Sequence, residues 1–95
     1  MTKAQLIREL SRKTGVEKNQ VEAIVESFMK VVADQVCDKQ TISLRGFGIF
    51  MPKKRAAKIG RNISKNTPML VPAHYIPFFK PYEKFSDKVK KALSK

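Results

Sequence analysis

The chain is poor in the residues that staple or catalyse. It has one cysteine, Cys37, no tryptophan and one histidine, His74, in 95 residues. A lone thiol cannot close an internal disulfide, so Cys37 points to a reducing, cytoplasmic setting and reads as a small buried or half-buried residue near a helix end. One imidazole builds neither a histidine dyad nor a multi-histidine metal site, and His74 reads as a solvated residue. Gly46 and Gly48 do not form a GxGxxG fingerprint, no Walker sequence occurs, and nothing assembles a nucleophile with a base. The expectation is a protein that is not an enzyme, with no cofactor, no metal and no small-molecule substrate. Long apolar runs are also missing, so no membrane span is expected. Met1 leads straight into a helical pattern rather than a signal peptide.

The most informative gap is in acid. From Asp38 to Glu83 no other Asp or Glu occurs, while nine Lys/Arg residues lie between them. Across the whole chain 20 basic residues face 8 acidic ones, a formal net charge of +12. Such an excess favours a polyanionic partner. The stretch "KKRAAKIGRNISKNTPM", residues 53–69, carries six bases and no acid, and a domain this small cannot bury it. A chain of this length forms one domain with a modestly stabilised core, which oligomerisation would strengthen.

The periodicities give an element order. Thr2 and Gln5 make a capping box ahead of Leu6, Ile7 and Leu10, and Gly15 closes that first helix. A second helix runs from about Lys18 to Asp38. Its apolar residues, among them Val21, Ile24, Phe28, Val32 and Val36, cover about half the circumference. One small neighbouring helix cannot cover that arc, so a partner chain is expected to. "TISLRGFGIFMPKK" alternates as two antiparallel strands joined at Arg45-Gly46, with Pro52 marking an edge or bulge. "MLVPAHYIPFF" is a further β-prone run, interrupted by Pro72 and Pro77. The tail from Tyr82 returns to helical period, with Phe85, Val89, Ala92 and Leu93 on one side. Between the strands lies an excursion from Arg55 to about His74 that folds at its turn-rich middle into a two-stranded ribbon. With no sheet behind it, that ribbon suits a nucleic-acid groove.

"GFGIF" at 46–50, followed by Arg55, Gly60, Arg61 and Asn62, and then Ile76-Pro77-Phe78-Phe79, resembles the signature of the bacterial HU/IHF family of histone-like DNA-binding proteins. The resemblance extends over about residues 1–90 and takes in "MTKAQLIREL" at the start. It implies an α+β fold with two N-terminal helices, a three-stranded antiparallel sheet bearing a long β-ribbon arm, and a C-terminal helix, intertwined as a dimer. The expected layout is a single domain, with a helical dimerisation base at 1–38, the sheet at 41–80 with its arm at about 55–74, and the last helix at 82–95. Phe28, Phe47, Phe50 and Phe79 are the expected dimer core.

The implied partner is double-stranded DNA, bound in the minor groove, bent and compacted within the nucleoid. The implied contacts are Lys53, Arg55, Lys58, Arg61, Asn62, Ile63 and Lys65 on the arm, with Lys3, Gly46, Lys80 and Lys84 on the body. Glu83 stands where many relatives carry a base. At Ile63 relatives commonly place a proline that wedges between base pairs, and isoleucine is also a side chain able to do so. Partnering with itself is expected, and pairing with a paralogue is the other option. The rival readings are a site-specific IHF-like subunit and, from a different class, an RNA-binding module, which the absence of an aromatic stacking motif disfavours.

Overall fold

The computed structural model describes residues 1–62 and 67–94, excepting the side chains of residues 61, 62, 67 and 69. In chain order the elements are α1 (Lys3–Thr14), α2 (Lys18–Cys37), β1 (Ile42–Leu44), β2 (Gly48–Arg55), β3 (Lys58–Asn62), β4 (Thr67–Val71), β5 (His74–Pro81) and α3 (Glu83–Leu93). They fall into two compact units, Met1–Asp34 and Gln35–Lys95. The α+β class and the element order match the sequence reading. The apolar run at 69–79 divides into β4 and β5, because Pro72 and Ala73 interrupt the pairing.

In the first unit, helix α1 starts where its sequence says it must. The Gln5 amide donates to Thr2 Oγ1 at 3.2 Å, and the Thr2 amide donates to Gln5 Oε1 at 2.8 Å, satisfying two otherwise orphaned donors. At its other end Gly15, with φ 74°, donates its amide to the Ser11 carbonyl at 2.9 Å. Ile7 and Val21 are the buried hydrophobic residues of the described chain. On α2, Ile24 is 66% exposed, Val31 56% and Phe28 46%, so this unit leaves most of the apolar arc uncovered.

Helix α2 closes in a Schellman motif: the Gln40 amide reaches the Gln35 carbonyl at 2.9 Å, and the Lys39 amide reaches Val36 at 3.0 Å. Such a motif favours glycine at its left-handed position, yet Lys39 holds it with φ 58°. Cys37, the last residue of α2, is exposed rather than buried. It stands one position, about 100°, round the helix from the half-buried Val36, which turns it off the packed stripe.

In the second unit β2 is the central strand of an antiparallel sheet ordered β1-β2-β5, and β3 pairs with β4 as a separate two-stranded ribbon. The β1–β2 turn is built on the Phe47 amide donating to the Leu44 carbonyl at 2.9 Å, with Gly46 at φ 80°. A positive φ at the third turn position is the type II geometry that glycine accepts without strain. Gly48 is required for a different reason. A β-carbon there would lie 2.5 Å from Phe79 Cε1 and 2.9 Å from the Lys80 carbonyl oxygen. Phe79 packs against Phe47 and Phe50, with ring centroids 5.2 and 4.8 Å apart, and Phe47 stacks on Phe85 at 5.0 Å. Helix α3 is tied to this cluster where the Tyr82 amide donates to the Phe47 carbonyl at 3.0 Å.

Pro52 faces Pro77 across β2 and β5. Neither can donate, so the two must form a non-hydrogen-bonded pair, with their nitrogens turned outward. On the β1 side Pro52 lies beyond the end of β1, whose pairing stops at Phe50. The expected edge is therefore a local one, on a strand that is central elsewhere.

Candidate nucleic-acid interface

Charge divides along the chain. Residues 1–38 contain six Lys/Arg and six Asp/Glu, whereas residues 39–95 contain fourteen Lys/Arg and two Asp/Glu. The ion pairs formed among the described residues are Lys3–Glu26, Arg12–Glu9 and Lys30–Asp34, all within the helical stretch. The bases of the sheet therefore keep their charge available to an outside anion.

Register decides which of them share a face. Side chains alternate along a strand and directly opposed residues lie on the same side. Lys53 faces Ile76, Arg55 faces His74 and Lys80 faces Ile49, so Lys53, Arg55 and Lys80 stand on one face of the sheet. All three are exposed. Phe50, opposite Phe79, belongs to the other face with the aromatic cluster, and so does Lys54, opposite Tyr75. The run Lys53-Lys54-Arg55 is thus split, and only its outer members join the basic face.

The basic face has an apolar floor of half-buried Ile49, Met51, Ile76 and Phe78. Lys53 Nζ lies 4.3 Å from the centroid of the Phe78 ring. That contact holds the flexible lysine stem down, lowering the side-chain entropy it would lose on meeting an anion. His74 closes this face at the root of the arm, where its Nδ1–H donates to the Pro72 carbonyl at 2.9 Å.

Beyond Arg55 and His74 the ladder breaks at Ala56-Ala57 and at Pro72-Ala73, then resumes as the β3–β4 ribbon. Lys58 pairs in register with Val71, Ile59 with Leu70, Arg61 with Pro68 and Asn62 with Thr67. Lys58 is exposed. The expected tip contacts Ile63 and Lys65 lie outside the described residues.

The remaining expected contacts are dispersed. Gly46 sits at the turn between β1 and β2, with open space where a side chain would project. Lys84 is exposed in the first turn of α3. Lys3 lies at the start of α1, and its ammonium hydrogen-bonds the Glu26 carboxylate. That hydrogen bond, and next the carboxylate's charge, raise the Lys3 pKa above its usual value. Sequence reasoning missed this pairing, because the partners are 23 positions apart on different helices. It also missed the Ile59–Leu70 pair on the ribbon, although alternation on both limbs predicts which residues oppose one another.

Three kinds of comparison bear on this geometry. The family described as bacterial DNA-binding protein matches residues 1–90. Among curated proteins, the chain is 34% identical over 91 residues to DNA-binding protein HU of Thermus thermophilus, covering 96% of this chain and 94% of that one. It is 33% identical over 96 residues to integration host factor subunit beta of Marinobacter nauticus, covering 100% of this chain and 98% of the other. Among solved structures it is similar to Anabaena HU in a cocrystal with DNA, with a TM-score of 0.90, 31% identity and coverage of 94% and 97% of the two chains.

Proposed function

The chain belongs to the bacterial DNA-binding protein family of HU and integration host factor, and from that premise we infer how it acts. It is an architectural protein that binds duplex DNA with little regard to sequence, and bends it. The observation that carries this reading is the shared sheet face of Lys53, Arg55 and Lys80, which leads into a ribbon without a single acid. Phosphates bind that face by displacing condensed counterions, a term that carries no sequence information. The arm follows the minor groove, where base edges present a degenerate code, so deformability of the duplex replaces base identity as the basis of preference. Arg61, Asn62, Ile63 and Lys65 are assigned to the groove and its kinked step. Gly46 and Lys84 are assigned to the flanks. Lys3 contributes once a phosphate displaces Glu26.

The working form is a dimer of this chain. The uncovered arc of Ile24, Phe28 and Val31, and Phe47 at 44% exposure, support it, because α2 otherwise leaves large side chains in water. Phe50 and Phe79 complete that core. The single domain then comprises a helical base at 1–38, a sheet at 41–80 with its arm at about 55–74, and a C-terminal helix at 82–95. Binding DNA without catalysing a reaction, such a protein resides on the nucleoid.

Purified protein titrated into mixed-sequence duplex, with single-stranded RNA as competitor and DNA ring closure as the measure of bending, tests this reading. Binding to duplex over RNA with accelerated ring closure is expected. Preference for RNA, or tight binding confined to one selected duplex, would overturn it.

A further inference from the structure

Ile59 and Leu70 face each other across the β3–β4 ribbon, 77% and 70% exposed. Among the described residues no other strand pairs with the ribbon, since β3 and β4 form a sheet of their own. A directly opposed apolar pair helps hold two strands together, but that role needs only one flank of each side chain. The outer surface of both remains in water. The surroundings indicate what covers it: the exposed Lys58 stands beside Ile59 in β3, on the other face of the ribbon, and residues 39–82 hold nine Lys/Arg and no acid. An apolar patch on a cationic, acid-free ribbon fits a surface that is anionic at its rims and apolar between them. The walls of a duplex groove have that character, with phosphates along the edges and the C–H faces of deoxyribose between them.

We propose that the Ile59–Leu70 pair is an apolar contact with the deoxyribose wall of bound duplex DNA, giving the arm a part of its affinity that salt does not screen. The inference rests on the DNA-binding reading above. Phosphate contacts lose strength steeply as salt rises, through counterion release. Burial of hydrocarbon releases no counterion, so its contribution persists at high salt. The arm then grips through two terms with different salt dependence, and the pair adds affinity without adding base discrimination.

The test compares the parent, the double variant Ile59→Thr/Leu70→Thr and the control Lys58→Ala. Threonine is β-branched, so it keeps the strand preference at both positions while removing most of the exposed hydrocarbon. Affinity for a mixed-sequence duplex is measured across a salt series, with amide exchange of the ribbon in the free protein and sizing without DNA. The double variant is expected to bind about tenfold more weakly at every salt concentration, with an unchanged slope of log affinity against log salt. Lys58→Ala is expected to flatten that slope instead. Parental affinity in the double variant overturns the proposal. So does weaker binding accompanied by faster ribbon exchange, which makes the pair an internal staple, or by a smaller assembly without DNA, which makes a second copy its cover. A parent that binds no duplex refutes the DNA-binding reading itself, an outcome distinct from all of these.

Discussion

Lys39 holds the left-handed position that ends α2, with φ 58°, and its ammonium lies 4.8 Å from the centroid of the Tyr75 ring. A left-handed backbone costs a non-glycine residue roughly 1 kcal/mol, and an exposed cation–π contact returns about 0.5–1 kcal/mol. Lys39→Gly should therefore change stability little in the parent but raise it by about 1 kcal/mol in a Tyr75→Leu background. Denaturant unfolding of the four proteins in that cycle measures both numbers. Ile63 poses a residue-scale question of another kind. Ile63→Ser removes no charge, so the salt dependence of DNA binding should stay as in the parent. If the side chain wedges into a base step, the variant should close DNA rings more slowly and lose its preference for nicked duplex. Parental ring closure would leave Ile63 without a part in bending.

At the scale of elements, the helices were legible because capping and the 3.6-residue period are local. Thr2, Gln5 and Gly15 mark the limits of α1 without reference to any other part of the chain. The strands were legible as apolar alternation, but their pairing was not. That Lys53 and Arg55 join Lys80 while Lys54 turns away depends on the register of β2 against β5, which no short window contains. The Lys3–Glu26 pair was unreadable for the same reason, since it depends on what lies alongside in space, whereas the exposure of Cys37 follows from its phase on α2 and was open to a stricter reading of the helical period. The element most exposed to test is the arm. With about 6–10 phosphates neutralised per dimer, log affinity should fall against log salt with a slope of about −5 to −9. Replacing Lys53, Arg55, Lys58 and Arg61 with Ala should flatten that slope and weaken every duplex alike, as measured by fluorescence anisotropy. A loss confined to one sequence would refute phosphate-led binding.

For the whole molecule, assembly and stability are one question. A chain whose buried hydrophobic residues, among those described, are Ile7 and Val21, while Phe28 stays 46% exposed, has little core of its own. Obligate dimers often lack a stable folded monomer, so the melting temperature of this protein should rise with its concentration. Phe28→Asp places a charge on the uncovered arc, which costs little in an exposed monomer and several kcal/mol in a buried interface. Sedimentation should find the variant dissociated, with its melting temperature lowered. A variant that stays dimeric with parental melting would refute an interface along α2.

The opposed prolines of the sheet also bear on solubility. Because Pro52 and Pro77 turn their nitrogens outward, each edge lacks a donor where an incoming strand would seek one, and Pro81 repeats the gap further along β5. Another molecule laid edge to edge would find a broken row of hydrogen-bonding groups. Fibre-like stacking of sheets is thereby disfavoured in a protein concentrated along its polymer.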